Sequence, residues 1–203
     1  MLIGLDFDNT IANYDQAFSY AAKQFDFLPE ESVGSKIQVK KNLQMQDEGM
    51  AKWQTLQGYV YGTGISSALL YEGCFDFLCR AKTLEHKVII ISHKTKFGHF
   101  DPKRVNLRKA ALEWMQDHDF FSKNGASLCE RDVHFASTRD EKIEHIIHFK
   151  PDIFIDDLVE VLDHKNFPHS NTKAILFSNT TQKKEQTYSV CSSWSEIYDK
   201  VLT

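Results

Sequence analysis

The chain has no long apolar run: nothing in its 203 residues approaches the roughly 18–20 that a membrane span needs. Excess positive charge is also missing. Its 24 Lys and Arg stand against 28 Asp and Glu, a net charge of −4, whereas proteins dedicated to nucleic acid or membrane surfaces are normally basic. Cysteine is sparse and scattered, at Cys74, Cys79, Cys129 and Cys191. No Cys-x-x-Cys pair occurs, which disfavours a zinc site or redox motif, and four cysteines are too few for a disulfide framework. Residues 1–8 hold no basic stretch followed by a long apolar one, so no secretory signal is expected. No Gly-x-Gly-x-x-Gly follows the first apolar segment, which disfavours a dinucleotide site. Internal repeats and low-complexity tracts are absent as well. A reduced, cytoplasmic chain is the expectation, with no nucleic-acid or membrane partner.

What the chain does have is bulk. It is 42% hydrophobic, with 15 Phe, 7 Tyr and 3 Trp, which excludes whole-chain disorder. At roughly 100–200 residues per domain, this length makes one core domain with a small insert. Short, unbroken, partly β-branched apolar segments at 2–5, 88–91, 133–136, 153–155 and 174–177 read as strands buried on both faces. Helix-period segments lie between them. Leu70, Cys74, Phe77, Leu78 and Ala81 mark one; Leu107, Ala111, Trp114 and Met115 a second; Ile143, Ile146 and Ile147 a third; Leu158, Val161 and Leu162 a fourth. The alternation predicts right-handed crossovers and an α/β fold with a parallel sheet. Ligands of such sheets sit beyond the carboxyl ends of the strands. A polar residue follows each strand there: Asp6, Ser92, Ser137, Asp156 and Ser178.

One stretch breaks the rhythm. Between the first strand and the helix before the second lies more chain than a crossover needs. Tyr14, Phe18, Ala21, Phe25 and Leu28 recur at helical spacing, and Pro29 stops the helix. A second helix is expected over 47–60, with Met50, Trp53, Leu56 and Val60 inward, then a turn at Gly62-Thr63-Gly64. The tract 30–46 is weakly patterned and receives no element. Residues 14–68 are therefore read as a small helical insertion into a core of 1–13 and 69–203.

The chemistry concentrates at the strand ends. Asp6 and Asp8 point the same way if the strand stays extended, and like charges so close need a cation or a shared proton. Asp156-Asp157 after the fourth strand adds further acidic oxygens. An oxygen-rich site of this kind suits Mg²⁺.

The sequence Asp6-x-Asp8-x-Thr10 after an N-terminal strand resembles the first motif of the haloacid dehalogenase-like (HAD) superfamily. Ser92 resembles the second motif, Lys142 the third and Asp156-Asp157 the fourth, all in the family's order. The resemblance implies a Rossmann-like core of five strands in the order 5-4-1-2-3, with 14–68 as a helical cap of the C1 type. It implies an aspartyl-phosphate intermediate on Asp6, with Asp8 exchanging protons with the leaving oxygen and the attacking water. It further implies Mg²⁺ held by Asp6, by Asp156, by Asp157 directly or through water, and by the main-chain carbonyl of Asp8. Ser92 would bind a phosphoryl oxygen and Lys142 would stabilise charge. In that family the dehalogenases lack the second aspartate, so Asp8 favours phosphate chemistry.

Competing residues remain. Lys142 competes with Lys150 and Arg139. Asp156 is preferred over Asp157 as direct ligand, because neighbouring strand residues face opposite ways. Asn9, Thr10, His93 and Lys94 are candidate substrate contacts. The basic stretch 94–109 is either a solvated face or a guide for an anionic substrate. The expected activity is hydrolysis of a small phosphorylated metabolite, such as a sugar phosphate or nucleotide. The alternatives are a phosphotransferase or mutase on the same scaffold and a non-catalytic binding protein.

Overall fold

The computed structural model describes residues 1–32, 34–179 and 186–203. In chain order its strands are β1 (Leu2–Leu5), β2 (Ala12–Asn13), β3 (Leu69–Leu70), β4 (Lys87–His93), β5 (Val133–Ala136), β6 (Ile153–Asp156), β7 (Lys173–Phe177) and β8 (Tyr188–Cys191). Its helices are α1 (Asp15–Gln24), α2 (Lys36–Gln44), α3 (Gly49–Val60), α4 (Cys74–Thr83), α5 (Leu107–Asp117), α6 (Arg139–Phe149), α7 (Val159–Leu162) and α8 (Trp194–Leu202). The chain forms two compact units. The first comprises Met1–Ala12, Leu70–Lys94 and Asp119–Thr203; the second comprises Asn13–Leu69 and Thr95–His118.

A six-stranded sheet in the order β5-β4-β1-β6-β7-β8 organises the first unit, and every ladder in it is parallel. The five expected strands take the expected order, but the sheet has a sixth, β8, beyond β7. Sequence reading missed it for a physical reason. Only Tyr188 and Cys191 are buried, with Ser189 between, so this edge strand lacks the apolar run of a strand covered on both faces. The core on one face gathers Ile89 and Ile91 of β4, Phe154 of β6, Leu176 of β7, and Ile143 and Ile146 of α6. Each such side chain contributes about 1.5–3 kcal/mol when fully buried. In β1, Gly4 stands opposite Phe154 in register, and a Cβ there would lie 2.6 Å from the Phe154 ring. α8 packs on α4, with Phe77 and Trp194 ring centroids 5.0 Å apart.

In the second unit, α1, α2 and α3 pack on one another around Phe18 stacked on Trp53, with centroids 4.8 Å apart. Helix α2 lies in the tract that sequence left unassigned. Only Val39 and Leu43 are buried along it, too little to show a stripe. Trp53, Leu56 and Val60 face inward as expected, but Met50 is 52% exposed. Each three-residue step falls about 60° short of a full turn, so Met50 lies off the stripe that Leu56 centres. Ile147 and Leu158 are likewise turned outward.

The second unit also takes in 95–118, which the sequence reading had placed with the core. Gly98 lies so close to Gly58 of α3 that a Cβ on it would sit 2.5 Å from the Gly58 Cα. Trp114 of α5 donates its indole N–H to the Ala68 carbonyl at 3.1 Å. Leu107, Ala111, Trp114 and Met115 form the buried face of that helix.

The cysteines divide by burial. Cys74 and Cys191 are buried, and burial pushes both thiols above their ordinary range, Cys74 strongly; Cys129 is exposed. The thiolate is the reactive species. Iodoacetamide should therefore label Cys129 in the native protein and reach Cys74 and Cys191 only in urea, as read by peptide mass spectrometry. Native labelling of Cys74 would show that α4 opens.

Candidate active site

Every residue of the candidate site belongs to the first unit. β1 delivers Asp6, whose backbone N–H donates to the Ile155 carbonyl at 2.9 Å, so β1 and β6 carry their pairing past the last strand residue. β6 ends on Asp156, fully buried. Helix α6 delivers Lys142 in its first turn. Its start is fixed twice: Thr138 Oγ1 accepts from the Glu141 N–H at 3.1 Å, and Glu141 Oε2 accepts from the Ser137 N–H at 2.6 Å.

These placements converge. Lys142 Nζ donates to Asp6 Oδ1 at 2.5 Å and to Asp156 Oδ2 at 2.6 Å, and all three side chains are buried. The Asp6 carboxyl stands raised from 3.8 to about 7: burial pushes it up most, Lys142 pulls it down, and Asp156 and Asp8 add to the rise. Burial alone would lower the Lys142 ammonium, but Asp156 and Asp6 outweigh it and hold the group well above its ordinary value. The lysine stays charged between two carboxylates.

Asp6, Asp156 and Asp157 each present a carboxylate oxygen within 4.8 Å of the others. Asp157 joins Asp156 because β6 ends there. The Leu158 N–H turns back to Asp156 Oδ1 at 2.9 Å, and strand alternation no longer separates the two neighbours. The donor set is entirely oxygen, as Mg²⁺ requires, and its excess negative charge suits a divalent ion. These residues fit that ion.

Three buried hydroxyls in this unit have no hydrogen-bond partner among the described residues. Thr172 Oγ1 lies just before β7, away from the carboxylates; the other two, Ser92 Oγ near the end of β4 and Thr10 Oγ1 in the loop after β1, lie on the site's side of the sheet. A buried polar group left unpaired costs roughly 1–3 kcal/mol, so each of these two is a place where a ligand oxygen would be welcome. The Thr10 carbonyl accepts from the Trp194 indole N–H at 3.0 Å, which fixes the loop after β1.

The remaining candidates divide. Asn9 forms the turn after Asp8 with φ 63°, a left-handed conformation that Asn tolerates, and its N–H donates to the Ala12 carbonyl at 2.8 Å. His93 is exposed, its Nε2 3.1 Å from the Ser137 carbonyl. Lys94, expected at the substrate, is instead buried and bound to Asp8, with Nζ 2.9 Å from Oδ1 and 2.8 Å from Oδ2. Sequence reasoning missed that pairing. The only signal was a lysine two residues past Ser92, in the same strand direction. Lys150 takes the left-handed cap of α6 and Arg139 is exposed, so Lys142 alone of the three reaches the carboxylates.

No protein-family model matches the chain, and no curated protein resembles it significantly in sequence. Solved structures do match. A predicted phosphatase from Clostridium acetobutylicum superposes with TM-score 0.59 at 14% identity, over 99% of this chain and 97% of its own. The HAD-hydrolase YfnB from Bacillus subtilis, described as bound to magnesium, gives 0.59 at 12% identity over 100% and 98%. The chain has a HAD-like fold. Protein Tyrosine Kinase A from Mycobacterium tuberculosis is similar as well, with TM-score 0.61 at 12% identity over 98% and 96%. Within this fold Asp6, Ser92 and Asp156 stand at or next to the carboxyl ends of β1, β4 and β6, and Lys142 at the start of α6.

Proposed function

We propose that the protein is a Mg²⁺-dependent phosphatase acting on a small phosphorylated metabolite through an aspartyl-phosphate. The observation that carries this reading is the buried Asp6–Lys142–Asp156 cluster, with a second aspartate two residues after Asp6.

Asp6 attacks phosphorus in line. The new bond from its oxygen to phosphorus forms as the bond to the leaving oxygen breaks, and Asp8 gives its proton to that oxygen, releasing an alcohol. Asp8, now a carboxylate, takes a proton from water, and the resulting attack on phosphorus frees orthophosphate and restores Asp6. Lys142 holds Asp6 and offsets negative charge gathering near it, and the Ser92 and Thr10 hydroxyls supply donors to phosphoryl oxygens. Asp6, Asp156 and Asp157 would hold Mg²⁺, which supplies charge neutralisation between carboxylate and phosphate. In this reading 14–68 is the cap that selects the substrate.

A panel of phosphorylated metabolites should reveal released phosphate that EDTA abolishes and added Mg²⁺ restores. Turnover indifferent to EDTA would remove the metal from the scheme. The likeness to a protein described as a tyrosine kinase keeps one second reading, in which Asp6 passes the phosphoryl group to another hydroxyl. Phosphate transferred to an added acceptor in place of release would select it.

A further inference from the structure

The acidic site contains two buried ammonium groups, and they bind different carboxylates. Lys142 takes one oxygen of Asp6 and one of Asp156. Lys94 takes both oxygens of Asp8. Its side chain is 2% exposed against 17% for Asp8, and Nζ lies 5.5 Å from the Phe7 ring centroid. Both backbones are fixed as well. The Lys94 N–H donates to the Ala136 carbonyl at 2.9 Å, and the Ile11 and Ala12 N–H groups donate to the Phe7 carbonyl, each at 3.0 Å. The outcome shows in the acidic cluster: Asp6, Asp156 and Asp157 offer converging oxygens, and the Asp8 carboxylate is not among them.

We infer that Lys94 is a positioning residue: it keeps the Asp8 carboxylate out of the cation's donor set and holds it for proton transfer. Two carboxylates two residues apart would otherwise both be drawn to a divalent ion. A lysine reaching both oxygens of only one of the pair separates nucleophile from acid–base group. The first half of this inference concerns cation binding alone; the second rests on the phosphatase reading.

The test is Mn²⁺ binding by calorimetry on the full chain without substrate, for wild type, Asp8→Asn, Lys94→Met, Lys94→Arg and the double variant Asp8→Asn/Lys94→Met. Asp8→Asn should bind Mn²⁺ within about twofold of wild type. Lys94→Met should bind about tenfold tighter, and the gain should vanish when Asp8 is also Asn, since it arises by recruiting that carboxylate. Lys94→Arg should stay close to wild type. Weakening of about tenfold in Asp8→Asn would make its carboxylate a ligand and overturn the inference; that arm does not depend on Lys94 variants folding. Equal tightening by Lys94→Met with and without Asp8 would reduce Lys94 to a bulk charge, and also overturn it.

Kinetics tests the second half. On an alkyl phosphate, whose leaving group needs a proton, Lys94→Met should lose about a hundredfold in kcat with little change in KM. On p-nitrophenyl phosphate, whose leaving group does not, the loss should be under about tenfold. A rise in KM for both would return Lys94 to substrate binding. Wild type that releases no phosphate would sink the phosphatase reading and with it this half; the Mn²⁺ cycle would then judge Lys94 by itself.

Discussion

Asp6→Asn is expected to lower phosphate release by about ten-thousand-fold or more while the protein stays folded. The amide has almost the shape of the carboxylate but cannot attack phosphorus, and nothing else in the cluster replaces it. Asp156 is held at both oxygens, by Lys142 and by the Leu158 N–H, and Asp8 is held by Lys94. Folding should survive because the amide oxygen still accepts from Lys142 and a buried charge has been removed. The melting temperature should hold or rise. Phosphate release on the best substrate of the panel, beside circular dichroism, checks both. Turnover near that of wild type would remove the covalent step.

The second large effect is on stability. Lys142→Met leaves Asp6 and Asp156 buried side by side with no cation, and breaking a buried pair this way costs about 3–5 kcal/mol. Urea unfolding in EDTA measures it. The direction with pH follows from Asp6, already pushed up to about 7 from 3.8. Without Lys142 it rises further, so the folded form keeps a proton that the unfolded chain releases. Such a group favours folding at low pH, and the benefit is lost as pH rises past 3.8 and through the folded value. The deficit of the variant should widen toward neutral pH and above. Mg²⁺ should recover part of it by supplying the missing charge. A deficit under ~1 kcal/mol, the scale of exposed pairs, would mean the cluster is wetter than its burial implies.

Much of this architecture was legible because the rule it rests on is coarse. A strand covered on both faces must be apolar throughout, so β1, β4, β6 and β7 announced themselves, and the polar residue ending each marked the sheet edge where ligands bind. That is how Asp6, Ser92 and Asp156 came into view. β8 and α2 stayed hidden because each buries only two side chains, and a pattern of two carries no period. Met50 misled because a stripe repeated every three residues drifts around the helix. The Asp8–Lys94 pair was illegible for a different reason. The residues are 86 apart, and only the pairing of β1 with β4 brings them together. Asp157 shows the converse: an alternation rule applied one residue beyond the end of its strand.

The backbone passes from one compact unit to the other after Ala12, back after Leu69, out again after Lys94 and home after His118. Neither unit is a single continuous stretch, so no pair of cuts isolates either. Excising 14–68 alone would strand α5 without the partners that cover Trp114, and the truncated chain would be sticky for reasons unrelated to catalysis. A clean dissection takes two excisions, each with its own short bridge.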